Sequence, residues 1–116
     1  MSDDNCIFCK IVKQEIPATI VYEDEHVLAF EDLNPQAPVH CLVITKKHIV
    51  GGNDMTPDDT TALGHMLLAG KKVAEVKNIA DDGYRFVINT GGHGGQSVFH
   101  IRLHVLGGRP LSWPPG

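Results

Sequence analysis

The chain has no basic surplus, no long apolar run, and few cysteines or aromatics. Its 10 Lys and Arg are outnumbered by 14 Asp and Glu, giving a formal net charge of −4 at pH 7. That balance denies it the positive footprint of a nucleic-acid or anionic-membrane binder. No stretch approaches the roughly 18 apolar residues of a membrane-spanning helix. Nor does a basic segment followed by an apolar run open the sequence, as it would in a secretory signal. Three cysteines, two of them as Cys6-x-x-Cys9, are too few for a disulfide framework and predict reduced thiols in a cytoplasmic protein. Repeats, low-complexity tracts and linkers are also missing, so the seven prolines read as turn residues. What remains is an ordinary globular composition, 42% hydrophobic and 21% charged. It predicts one domain over residues 1–116 with a single modest core.

Patterning predicts a short helix over residues 6–13, ended before Ile16-Pro17. Residues 19–23 and 27–32 alternate as a hairpin, and residues 39–45 form a third strand with Val39, Cys41 and Val43 on one face. Thr56-Pro57-Asp58-Asp59 starts a helix, with Thr56 as cap and the two acids at its positive end. Leu63, Met66, Leu67, Gly70, Val73 and Ala74 then give one apolar stripe to about Lys77, with His65 off it at the surface. Met66 and Cys41 read as core. Asp82-Gly83 turns the chain into a fourth strand over residues 84–89. Strands, one long helix, then strands predict an α+β fold, a five-stranded antiparallel sheet covered on one face.

The most informative segment is the fifth strand, Phe99-His100-Ile101-Arg102-Leu103-His104-Val105. Residues two apart share a strand face, so Phe99, Ile101, Leu103 and Val105 are expected in the core. His100, Arg102 and His104 then line the opposite face. The loop before it, Gly91-Gly92-His93-Gly94-Gly95-Gln96-Ser97, lacks the Gly-Lys-Ser/Thr of a P-loop and the fingerprint of a dinucleotide site. It can still bring N–H and hydroxyl donors to an anion beside those nitrogens. His40 shares a face with Leu42 and Ile44, as a core-edge histidine or a support for the active strand. His26 and His93 have no partner legible in the sequence. The Cys6/Cys9 pair alone is a weak zinc signal, with a dithiol or two buried thiols as alternatives.

The run Ser97-Val98-Phe99-His100-Ile101-Arg102-Leu103-His104-Val105-Leu106-Gly107-Gly108-Arg109 resembles the signature of the histidine triad (HIT) family, in its Hint branch of nucleoside phosphoramidases. Cys6-Ile7-Phe8-Cys9, Pro35-Gln36-Ala37-Pro38, Lys46-Lys47-His48-Ile49, Asn89 and Trp113-Pro114-Pro115-Gly116 extend the match over nearly the whole chain. The triad is His-x-His-x-His; this chain has His100 and His104 but Arg102 in the middle place. The resemblance implies a HIT fold, with one long and one short helix. It also implies a site for a purine nucleoside monophosphate or phosphoramidate. Gly95, Gln96, Ser97 and Asn89 would meet the phosphate, Asp32 the ribose hydroxyls, and Leu33 the base. A carboxylate suits a diol because it only accepts hydrogen bonds.

In the family the middle histidine attacks phosphorus and water releases the nucleotide. Imidazole can do this near pH 7. Arginine has no usable lone pair and can only bind charge, so turnover is expected to be severely impaired. The positions that would carry catalysis are Arg102, His104 and Ser97, with Arg102 and His104 also in the nucleotide site. Some members bind zinc through positions equivalent to Cys6, Cys9, His48 and His100, all present here. The family also implies a homodimer with a joined ten-stranded sheet, and Trp113 reaching toward the partner's site. The rival readings are a catalytically silent nucleotide-binding module and the diadenosine-polyphosphate hydrolase branch, against which the Hint-like C-terminus counts. The transferase branch carries glutamine where this chain has His104.

Overall fold

A computed structural model of the chain describes residues 4–116. Its elements are α1 (Ile7–Val12), β1 (Ile20–Glu23), β2 (Val27–Glu31), β3 (Val39–Thr45), α2 (Thr60–Val76), β4 (Tyr84–Val87), α3 (Gly91–Gly94) and β5 (Arg102–Gly107). The strands form one antiparallel sheet in the order β1-β2-β3-β5-β4. The predicted α+β class, the five strands and the long helix are all present.

Local chemistry explains the joints. Asp24 turns the β1–β2 hairpin, its Oδ1 accepting the N–H groups of His26 at 2.7 Å and Val27 at 3.0 Å, as Asp does at turns. A 3-10 turn over Pro57–Asp59 leads into α2. There the Asp59 carboxylate accepts the Thr56 N–H at 2.9 Å and the Lys47 ammonium, satisfying an otherwise orphaned donor. Gly70 lets α2 lie close to the sheet, since a Cβ there would stand 2.8 Å from Leu103 Cδ2 and Phe86 Cζ.

The sheet is covered on both faces, not on one as the sequence suggested. α2 packs Met66, Ala69 and Val73 against Val27, Ala29, Cys41, Val43, Leu103 and Val105. The other face carries Leu28, Phe30, Leu42 and Ile44, on which α1 lays Phe8, Cys9 and Ile11. Strand β2 is therefore buried from Val27 through Phe30 without alternation, as expected of a strand with two covered faces. Six residues are too few for a stable isolated helix. Burying side chains such as Phe8 and Ile11, at roughly 1.5–3 kcal/mol each, is what holds α1 in place.

Three expectations are corrected. Phe99 is 57% exposed rather than core, because β5 begins only at Arg102. Residues 98–100 bend away from β3, and the Ile101 N–H pairs with the Ile49 carbonyl at 2.6 Å. The inward alternation of Ile101, Leu103 and Val105 holds from there on. Leu67 lies outside the α2 core stripe, exposed, with Ala69 buried in its stead. His65 lies off the stripe and part-exposed as expected, where its Nδ1 sits 3.2 Å from Asp24 Oδ2 and its ring 4.4 Å from that of His26. The glycine run, expected as a loop, contains the short helix α3, ended by Gly95 at φ +88°, a conformation that favours glycine.

Candidate functional site

The α1 face of the sheet carries two adjoining clusters. The first joins α1, the residue after Lys47, and the bend before β5. Cys6 Sγ lies 3.2 Å from His100 Nδ1, and Cys9 Sγ lies 3.2 Å from His48 Nδ1 and 3.6 Å from His100 Nδ1. The two Nδ1 atoms are 3.2 Å apart, and all four donors fall within 4.8 Å of one another. His100 is fully buried beneath Phe8, and its Nε2 is 2.7 Å from the Thr45 carbonyl. A carbonyl only accepts, so the proton is on Nε2 and the Nδ1 lone pair faces the thiols. Burial holds His100 down at about 4, helped by His48 and Arg102 against the Thr45 carbonyl, and a neutral imidazole is the form a metal takes.

These residues fit zinc. Bonds of about 2.1 Å to nitrogen and 2.3 Å to sulfur place tetrahedral ligand atoms roughly 3.3–3.8 Å apart. The spacings of 3.2–3.6 Å already approximate those edges. The carbonyl behind His100 is the outer partner that metal-bound histidines need. All four sequence-predicted ligands thus converge, with His100 directed at the thiols instead of standing in an open row with Arg102 and His104.

The second cluster opens into a cleft of about 410 Å³ between α1, the loop after β2, the glycine segment and β5. Antiparallel pairing sets Arg102 opposite Ile44 and His104 opposite Leu42, so both project to the α1 side. The Arg102 guanidinium donates to Ser97 Oγ at 3.0 Å and to the Val98 carbonyl at 3.1 Å, and it lies over the Phe8 ring, 5.3 Å from its centroid. His40 is buried, with Nε2 2.9 Å from His104 Nδ1 and 3.4 Å from Asp32 Oδ2. Burial, reinforced by His40 and Arg102 against the pull of Asp32, holds His104 down at about 4. His40 is lowered for the same first reason, again against Asp32. Both rings are therefore neutral at pH 7, beside a permanent cation.

Of the other predicted residues, Asp32, Leu33, Asn89, Gly95 and Ser97 line this cleft, and Leu33 is 98% exposed at its mouth. The Gln96 side chain is instead used within the loop. Its Oε1 accepts the Gly91 N–H at 2.9 Å, and its Nε2 donates to the Val50 and Val98 carbonyls. Sequence reasoning missed Ile7, Phe8, Phe30 and Gln36 as lining residues. The signal for the first two was there: they sit between the paired cysteines, on the turn of helix those thiols anchor.

Comparison with known proteins agrees with this architecture. Residues 13–111 match the HIT domain family. The chain is 50% identical over 108 residues to the purine nucleoside phosphoramidase of Escherichia coli, covering 93% of this chain and 91% of that one. The crystal structure of a HIT family hydrolase from Legionella pneumophila superposes with a TM-score of 0.94 at 53% identity, over 97% of this chain and 100% of the other. A zinc-bound histidine triad family protein from Mycobacterium smegmatis superposes at 0.80 with 36% identity, over 94% of this chain and 81% of the other. The chain belongs to the HIT family.

Proposed function

We propose that this HIT-family chain binds purine nucleoside monophosphates and phosphoramidates on a phosphoramidase scaffold, and that Arg102 severely impairs its turnover. One observation carries the reading: the cleft brings together three kinds of lining. Ile7, Phe8, Phe30 and Leu33 are apolar, Asp32 offers a carboxylate, and Ser97, Arg102 and His104 form a donor-rich set. These three chemistries suit a base, a ribose diol and a phosphate. The phosphoramidase activity named for the Escherichia coli relative supports the P–N substrate class. In place of a nucleophile, Arg102 supplies a cation that favours a bound phosphate. His104 and Ser97 position the phosphoryl group, with Asn89, Gly95 and the Gln96 main chain beside it.

Cys6, Cys9, His48 and His100 would hold a structural zinc. Bound there, the metal supplies a closed cross-link between α1 and the approach to β5, and it removes His100 from catalysis. The working unit is a cytoplasmic homodimer. Strand β4 stands at the sheet edge, with Tyr84, Phe86 and Ile88 partly exposed and Leu67 and Leu68 exposed on α2. Pairing two such edges would join the sheets into ten strands and cover that apolar surface.

Calorimetric titration with AMP tests the nucleotide reading. Binding that weakens with added salt is expected, because the phosphate meets a cation. No heat and no competition at millimolar AMP would leave the cleft without its proposed ligand.

A further inference from the structure

Asp32, His40 and His104 form the second group of metal-capable donors among the described residues, with ligand atoms within 4.8 Å of one another. Their hydrogen bonds give the group a different character from the thiol–imidazole cluster. A neutral imidazole has one N–H and one lone pair, and whatever one ring nitrogen meets fixes the state of the other. The main-chain N–H of Gln36 lies 3.0 Å from His40 Nδ1. An amide nitrogen only donates, so His40 Nδ1 accepts and the ring proton sits on Nε2.

The consequence passes along the chain of contacts. His40 Nε2 is 2.9 Å from His104 Nδ1, so the bond runs from His40 to His104, and the His104 proton is displaced to its Nε2. That nitrogen is buried and has no hydrogen-bond partner among the described residues, while the residue lines the cleft. A buried polar group left unpaired is rare and calls for a partner. The same polarity argues against a metal at His40 Nε2. A metal needs the lone pair there, which would force the proton onto Nδ1, against the Gln36 N–H. Asp32 Oδ2, at 3.4 Å from His40 Nε2, is the more distant acceptor.

The amide that starts this chain is itself held. The Gln36 side chain donates to the Asn34 carbonyl at 3.0 Å, and the Arg109 guanidinium donates to the Gln36 carbonyl at 3.1 Å. Flanking prolines at positions 35 and 38 stiffen the loop.

We infer that the Gln36 main-chain N–H is a positioning group: it sets His40, and through it His104, as a one-way donor chain ending in an N–H presented to the ligand's phosphate. The ligand end rests on the nucleotide reading above; the order of protons does not. A donor fixed before the ligand arrives needs no tautomer change on binding, which is preorganisation at the phosphate.

Nitrogen NMR of the imidazoles in the full chain tests this, with AMP as the probe ligand. At neutral pH both His40 and His104 are expected as Nε2–H tautomers. Gln36→Ala keeps the amide and should leave both unchanged. Gln36→Pro removes it, and should release His40 into mixed tautomers, carry His104 with it, and weaken AMP binding about tenfold, the scale of one hydrogen bond. An Nδ1–H tautomer at His40 in the parent protein overturns the inference whether or not Gln36→Pro folds. Unchanged tautomers in a folded Gln36→Pro overturn it equally. The expected tautomers without AMP binding would refute the nucleotide reading, and with it the ligand end of the chain, while the proton order stands.

Discussion

Arg102→His is the substitution on which the functional reading turns. Among the described residues that line the cleft, no imidazole turns a free lone pair toward it. Arg102 has none to offer, and its guanidinium is tied to Ser97 Oγ and the Val98 carbonyl. His104 Nδ1 is engaged by His40 at 2.9 Å. His100 is fully buried with its Nδ1 toward the thiols. Ser97 meets a cation rather than a base. Loss of one member of a catalytic unit lowers turnover on the order of a millionfold, about 8 kcal/mol of barrier. The retained pocket still positions substrate and leaves roughly 10³–10⁴ over the uncatalysed rate. Restoring the imidazole should therefore raise kcat about 10⁵–10⁶-fold while KM moves by less than about tenfold, since the cleft is otherwise unchanged. AMP released from adenosine 5′-monophosphoramidate by the two forms, followed chromatographically, gives both constants. Equal rates would refute the reasoning and mean that another residue is the nucleophile.

Three further outcomes are expected. Protein purified without added metal should carry one zinc per chain by elemental analysis, and Cys9→Ser should lose it together with several degrees of thermal midpoint; metal-free protein with titratable thiols at positions 6 and 9 would sink that site. Sedimentation equilibrium at micromolar concentration should report a dimer, and Leu67→Glu, at an exposed position on α2, should shift it toward monomer without unfolding the chain; a monomeric parent ends both the joined sheet and any shared-site role for Trp113. The Lys47 hydrogen bond, followed by that from the Thr56 N–H, holds the Asp59 carboxyl below its ordinary value, so its stabilisation is present above the unfolded-state value near pH 4 and is lost as pH falls through the lower folded-state one. Denaturant titrations below about pH 4 should therefore show a flatter acid limb for Asp59→Asn than for the parent, and identical limbs would count against the pairing.

The sequence by itself determined the five strands, α1, α2 and the row of His100, Arg102 and His104. Period-2 alternation marked the strands. The Thr-Pro-Asp-Asp start and apolar stripe marked α2, and the alternate register of His100, Arg102 and His104 marked chemistry. These are local signals, carried by neighbours a few residues apart; the set of Cys6, Cys9, His48 and His100 came only through the family resemblance. Tertiary structure decided what depends on contacts between distant segments. α1 covers the second sheet face because Phe8 and Ile11 find Leu42 and Ile44 there, which no pattern within residues 6–13 discloses. Phe99 turns outward because Ile101 pairs with Ile49 rather than continuing a strand. His40 was open between core edge and support until β3 and β5 brought it to 2.9 Å from His104. The proton on each ring likewise follows from a carbonyl at Thr45 and an amide at Gln36, main-chain groups that every residue carries and that only the folded chain aims at one nitrogen.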